Sequence, residues 1–163
     1  MMRGAIHGSV VVLLAVAAPL SAHESASSST PAHALSTDAQ EAASVVDAFH
    51  SALNRGDTRA AEALLANDAL IFESGGVERS KAEYAETHLP ADAEFSKTVS
   101  STTTRRSGHA NGAFAWIASE GAYSGTYQGK TVDRITTETM ILRREQGGWR
   151  IVHVHWSSAP RRG

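Results

Sequence analysis

TETMILRREQGGWRIVHVHWSSAP, residues Thr137–Pro160, reads as two strands and a turn. Thr137–Arg143 and Trp149–Ser157 are rich in β-branched and aromatic residues, and Gly147-Gly148 separates them as the turn. Strand residues alternate between faces. The second run therefore sets His153 and His155 side by side on one face, with Val152, Val154 and Trp156 on the other.

The Glu138-Thr139 pair, the Arg143-Arg144 step, the turn before Trp149 and the run Val152-His153-x-His155-x-Ser157-x-Ala159-Pro160 carry a family likeness. This hairpin resembles the last hairpin of the association (hub) domain of calcium/calmodulin-dependent protein kinase II. That domain belongs to the nuclear transport factor 2-like superfamily, which also holds SnoaL-like polyketide cyclases and ketosteroid isomerase. The resemblance implies an α+β, cone-shaped (cystatin-like) fold with N-terminal helices packed on a curved antiparallel sheet. Function does not follow from it, because one such scaffold hosts isomerases, cyclases, dehydratases and non-enzymatic assembly modules.

A chain of 163 residues, 42% hydrophobic, suits one globular domain. The net charge of −2, with acids and bases interspersed, argues against a nucleic-acid partner. There is no cysteine, which excludes disulfides, thiol catalysis and thiolate metal sites.

Residues 1–22, MMRGAIHGSVVVLLAVAAPLSA, place Arg3 before an apolar run and end in small residues, the order of a secretory signal peptide. The run is too short to anchor stably in a hydrocarbon layer of roughly 30 Å. The expectation is export to the periplasm or beyond, with no membrane attachment after cleavage. Residues 23–36, rich in Ser and Ala, read as a flexible linker, and residues 37–160 as the domain.

Thr37 with Gln40 reads as a capping box that opens a helix over about 38–55, with Val45, Val46, Phe49, Ala52 and Leu53 at helical spacing. Gly56-Asp57 ends it and caps a second helix carrying Ala60, Ala61, Leu64 and Leu65. Leu70-Ile71-Phe72 is a short strand. Ser80 with Glu83 caps a helix that carries Tyr84 and His88 and stops before Pro90. Strands are expected over Phe95–Arg106, Ala113–Tyr127, Thr131–Arg144 and Trp149–Ser158.

In the superfamily the concave sheet face and the third helix line a pocket, while the convex face often forms a dimer. Sorting strand residues by parity places Trp116, Glu120, Glu138, Met140, Leu142, Val152, Val154 and Trp156 inward, and Ile117, Ser119, Ile141, Ile151, His153 and His155 outward. The resemblance orients the two sets, since Met140 and Trp156 stand where the hub carries pocket arginines. The implied ligand-binding set is Tyr84, His88, Trp116, Glu120, Glu138, Met140 and Trp156, suited to a small organic ligand.

If this site is catalytic, Glu120 or Glu138 would be a base with its pKa raised by burial, and Tyr84 or His88 would donate to an oxyanion. The alternative is that each glutamate pairs with a neighbouring arginine at an exposed edge. His153 and His155 would need a third ligand, such as His109, Glu138 or a partner subunit's histidine, to hold a metal, so neither metal nor cofactor is assigned. Two functions remain open. One is an exported small-molecule-binding protein, with isomerase- or cyclase-type proton abstraction as a possible chemistry. The other is a non-enzymatic homodimeric assembly module acting through its convex sheet.

Overall fold

The computed structural model describes residues 35–162, so the signal-peptide reading and residues 23–34 of the linker lie outside the described residues. Helix α1 spans Thr37–Asn54, and its cap is Ser36, one residue earlier than the expected Thr37. The Ser36 hydroxyl accepts from the Ala39 N–H, and the Gln40 side chain donates to the Leu35 carbonyl. Leu35 packs against the core, so the domain begins before residue 37 and takes in the end of the expected linker.

Helix α2 (Thr58–Ala63) is capped by Asp57, whose carboxylate accepts from the Ala60 N–H. Leu65 is not part of it, because strand β1 (Leu65–Glu73) starts there and is longer than the expected three residues. β1 turns through Ser74 and Gly75, both at positive φ, into β2 (Gly76–Glu78). Ser80 caps α3 (Lys81–Thr87) as its spacing predicts.

The largest departure follows. Pro90 does not end the helical region but occupies the first turn of α4 (Leu89–Thr98), where its missing N–H costs nothing. Residues 95–98, expected as strand, are the last turn of that helix. The remaining strands are β3 (Val99–Asn111), β4 (Phe114–Tyr127), β5 (Lys130–Glu145) and β6 (Gly148–Pro160). In the last hairpin Glu145 faces Gly148, so Gln146-Gly147 is the turn, one residue earlier than expected.

The six strands form one curved, unclosed sheet in the order β2-β1-β6-β5-β4-β3. All neighbours are antiparallel except β1 and β6, which run parallel. α1 lies across the inner face and buries Ala42, Ala43, Val46, Phe49, Ala52 and Leu53 against Ile71, Ile117, Met140, Leu142, Ile151 and Val154. Trp149 is buried next to the Gln146-Gly147 turn, opposite Arg144, whose guanidinium lies 4.5 Å from its ring centroid.

Register overturns part of the expected face assignment. Gln128 and Gly129, both at positive φ, make a two-residue turn with Tyr127 opposite Lys130. Even-numbered residues of β4 must then face odd-numbered residues of β5. Trp116 lies opposite Ile141, and Glu120 opposite Thr137, on the outer face, while Ile117 and Ser119 point inward with Met140 and Glu138. In β6 the ladder slips between Ile141 and Leu142, with Val152 as the extra residue. That bulge lets Ile151 share the inner face with Val154 and Trp156.

Candidate functional site

One row of side chains crosses five strands of the inner face. Arg106 lies opposite Ser119, Ser119 opposite Glu138, Glu138 opposite Trp156, and Trp156 opposite Glu73. Directly opposed residues share a face and touch. Two residues further along each strand, the next row is Gly108, Ile117, Met140, Val154 and Ile71, which is packed core. The polar row is therefore the floor of whatever lies above the core.

His50 reaches that floor from α1. It follows Val46 by four residues and precedes Leu53 by three, so it sits on the helix stripe that faces the sheet. Its Nε2 lies 2.6 Å from Glu138 Oε2, and the Trp156 indole N–H donates to the same oxygen at 2.8 Å. Phe49 stacks on Trp156, with centroids 6.3 Å apart, and holds the indole in place.

Burial acts to raise the Glu138 pKa, but the His50 contact, the Trp156 donor and the Arg106 charge outweigh it and hold the carboxyl below its ordinary range. A raised, proton-poised glutamate was expected, and the opposite is found. Glu138 is an ionised carboxylate that fixes the Nε2–H form of His50. Among the described residues nothing hydrogen-bonds the ring's Nδ1.

Above this row the sheet and helices leave two adjoining hollows of about 230 and 380 Å³, both lined by His50, Glu73, Tyr123 and Trp156. The smaller is polar, with Asp47, Arg106 and Glu138. The larger is flanked by Phe95, Tyr127, Asp92 and Arg134. The Arg106 guanidinium is tied to Asp47 at 2.6 Å and to the Ser119 hydroxyl at 3.2 Å.

Of the sequence-predicted residues, Glu138 and Trp156 meet in the cleft. Met140 is fully buried in the core beneath it and lines neither hollow. Trp116 is 44% exposed on the outer face. Glu120 reaches only the rim, exposed beside Arg105 at 4.0 Å, which is the edge pairing weighed as its alternative.

Tyr84 is buried below the cleft. Its hydroxyl donates to Asp92 Oδ2 at 2.7 Å, and burial beside Asp92 pushes its pKa well up, so it stays a neutral donor committed to Asp92. His88 bonds the buried Glu78, which raises its pKa, and it lines neither hollow. It braces the end of β2, which carries Glu78.

His153 and His155 share the outer face, as parity together with the resemblance predicts. His153 Nδ1 contacts the Leu70 carbonyl at 2.9 Å, and Phe72 stands edge-on to both rings. Among the described residues no group of three or more potential metal ligands converges.

The residues missed were His50, Asp92, Glu73, Arg106 and Tyr123. His50 was legible as a polar residue on an apolar helix stripe. Asp92 was hidden because its segment was read as a loop running into a strand.

Residues 42–161 match the family model described as "SnoaL-like domain". A candidate ketosteroid isomerase from Shewanella frigidimarina is 37% identical and superposes with a TM-score of 0.71, covering 76% of this chain and all of that one. A candidate dehydratase of the NTF2-like family from Streptomyces avermitilis is 18% identical, with a TM-score of 0.65 over 76% of this chain and 97% of that one. The association domain of the Caenorhabditis elegans calcium/calmodulin-dependent kinase II is 22% identical, with a TM-score of 0.60 over 72% of this chain and 93% of that one. No curated protein matches the chain.

Proposed function

The chain belongs to the SnoaL-like domain family, of nuclear transport factor 2-like fold, and on that premise we propose that its cleft binds a small organic molecule and moves a proton on it. His50 is the acid–base group, and Glu138 and Trp156 are its positioning residues. The observation that supports this is the buried Glu138 carboxylate holding both His50 Nε2 and the Trp156 indole N–H. An imidazole whose Nε2–H is fixed by a carboxylate offers Nδ1 to accept a proton and return it.

The reaction class is proton transfer next to a carbonyl, as in an isomerisation or a dehydration. A carboxylate kept ionised beside the ring would stabilise the imidazolium formed in the proton-abstraction step.

The test is hydrogen–deuterium exchange in heavy water, followed by NMR, on a panel of small ketones and hydroxyketones with and without an amino group. For a compound that exchanges, His50→Gln is expected to slow exchange by about a hundredfold or more, with the fold intact by circular dichroism. Unchanged exchange in that variant sinks the assignment.

A second role is carried by a separate observation. Phe114, Trp116 and Ile135 are 53%, 44% and 50% exposed on the outer sheet face, and exposed aromatic side chains such as the first two are of the kind that interfaces between chains are enriched in. A second copy of the chain is the proposed occupant, giving a homodimer through that face. Export is likewise proposed from residues 1–22. N-terminal sequencing of protein recovered from the periplasmic fraction should start after Ala22, and recovery of Met1 there would reject it.

A further inference from the structure

The larger hollow has the chemistry of a cation site. The Phe95 ring stands edge-on to Tyr123, with centroids 5.4 Å apart, and to Tyr127 at 5.2 Å, and Trp156 lines the same chamber. Four aromatic side chains thus line one hollow, and an aromatic face attracts a cation within about 6 Å, most strongly when water is displaced.

The carboxylates nearby have the complementary sign and outnumber the guanidinium of Arg134, which lines the same chamber. Glu73 and Asp92 line this chamber, and Glu138 adjoins Trp156. Among the described residues no side chain hydrogen-bonds or ion-pairs with Glu73, and Asp92 is held by the neutral Tyr84 hydroxyl. The two arginines near the cleft are already engaged. Arg134 donates to the Ser158 hydroxyl and carbonyl at 2.8 and 3.0 Å, and Arg106 is bound to Asp47.

The same field acts on the Tyr123 phenol. Burial, then the charges of Glu138, Glu73 and Asp92, push its pKa up to about 12. An anionic ligand would enter that field against the repulsion of Glu73, Asp92 and Glu138, which the Arg134 guanidinium, shared with Ser158, offsets only in part. A cationic one would neutralise it.

We infer that the ligand of the cleft carries a cationic nitrogen, an ammonium or alkylammonium group, seated among Phe95, Tyr123, Tyr127 and Trp156 and facing Glu73 and Asp92. This rests on the reading of the cleft as a small-molecule site and names its ligand class. The ammonium end occupies the aromatic chamber, which leaves the rest of the molecule to extend toward His50 and Glu138 in the smaller hollow. The ionised Glu138 strengthens the attraction without taking the cation as its own partner.

The experiment uses three probes of equal shape on the whole domain: choline, its uncharged isostere with carbon in place of the quaternary nitrogen, and the corresponding carboxylate. Titrations followed by amide and indole NMR give both the affinity and the location. Choline is expected to bind about tenfold more tightly than the carbon isostere, the carboxylate most weakly, with shifts centred on Ser74, Tyr123 and the Trp156 indole. Glu73→Gln and Tyr127→Leu should each reduce the preference for choline over the isostere several-fold.

Equal or tighter binding of the isostere or the carboxylate in the same place overturns the cation assignment and leaves the cleft as a binding site. Shifts confined to residues outside the cleft overturn both readings. If neither variant alters the preference for choline, the aromatic and acidic groups named here are not its source and the proposal fails.

Discussion

Trp156 and Glu138 face each other directly across β5 and β6, and the indole N–H donates to the glutamate oxygen at 2.8 Å. Strand pairing thus delivers a neutral donor to a buried carboxylate without help from a loop. His50, 88 residues earlier in the chain than Glu138, reaches the same oxygen from α1. The functional centre proposed here is this meeting of a helix and two strands.

Replacing Trp156 with Phe keeps most of the ring and removes the donor. A hydrogen bond to a charged acceptor contributes roughly 1.5–3 kcal/mol, so urea unfolding at pH 7 should show a loss in that range. Glu138 has a lowered pKa in the fold, so its stabilisation is present above its unfolded value and lost as pH falls through the folded one. Without the indole N–H the folded pKa rises, and acid unfolding should begin at a higher pH than in the wild type. An unshifted acid transition would contradict the role given to this bond.

Asp92 should behave with the opposite sign. Burial raises its pKa more than the Tyr84 hydroxyl and the His88 charge lower it, so the fold favours its protonated form. That stabilisation is present at low pH and lost as pH rises through the folded pKa. Asp92→Asn keeps an acceptor for the Tyr84 hydroxyl and removes the charge. Its melting temperature should exceed that of the wild type by roughly a few degrees at pH 7 and match it below the carboxylate range. An equal loss at both values would show that the carboxylate itself is needed for packing.

Gly121 lies on the inner face opposite Thr136, where β3 passes close by. A Cβ there would sit 2.4 Å from the Thr102 carbonyl oxygen and 3.1 Å from Thr136 Oγ1. Gly121→Ala is expected to cost about 1–3 kcal/mol, because a backbone atom, unlike a flexible side chain, cannot step aside. Gly147→Ala is the control, since its nearest neighbour is the Arg150 side chain at 3.4 Å. Thermal melts of the two variants should separate clearly.

The outer-face proposal is tested by mass. Light scattering on the purified domain should give twice the chain mass, and Trp116→Glu should shift it to monomer while the far-ultraviolet spectrum stays unchanged. A wild-type protein that is monomeric at tens of micromolar would remove the dimer.

The sequence by itself determined the fold class, the helix caps near residues 36, 57 and 80, and the sharing of one sheet face by His153 and His155. These are local properties. Capping depends on residues three apart, and strand parity depends only on alternation within one strand.

Tertiary structure alone decided which residues join Glu138 and Trp156 in the candidate site. Parity groups Trp116 and Glu120 with Met140 and Trp156, which the resemblance sets at the pocket, and so predicts both of them inward. The phase of β4 against β5 is instead set by the two-residue turn at Gln128-Gly129, which puts Ile117 and Ser119 inside. Pro90 looked like a terminator because it ends helices from within, yet it is tolerated in the first turn of α4, and that helix brings Asp92 and Phe95 to the cleft. The pKa of Glu138 could not be read from its burial. Its direction depends on donors from Trp156 and His50 that only the folded chain brings to the same oxygen.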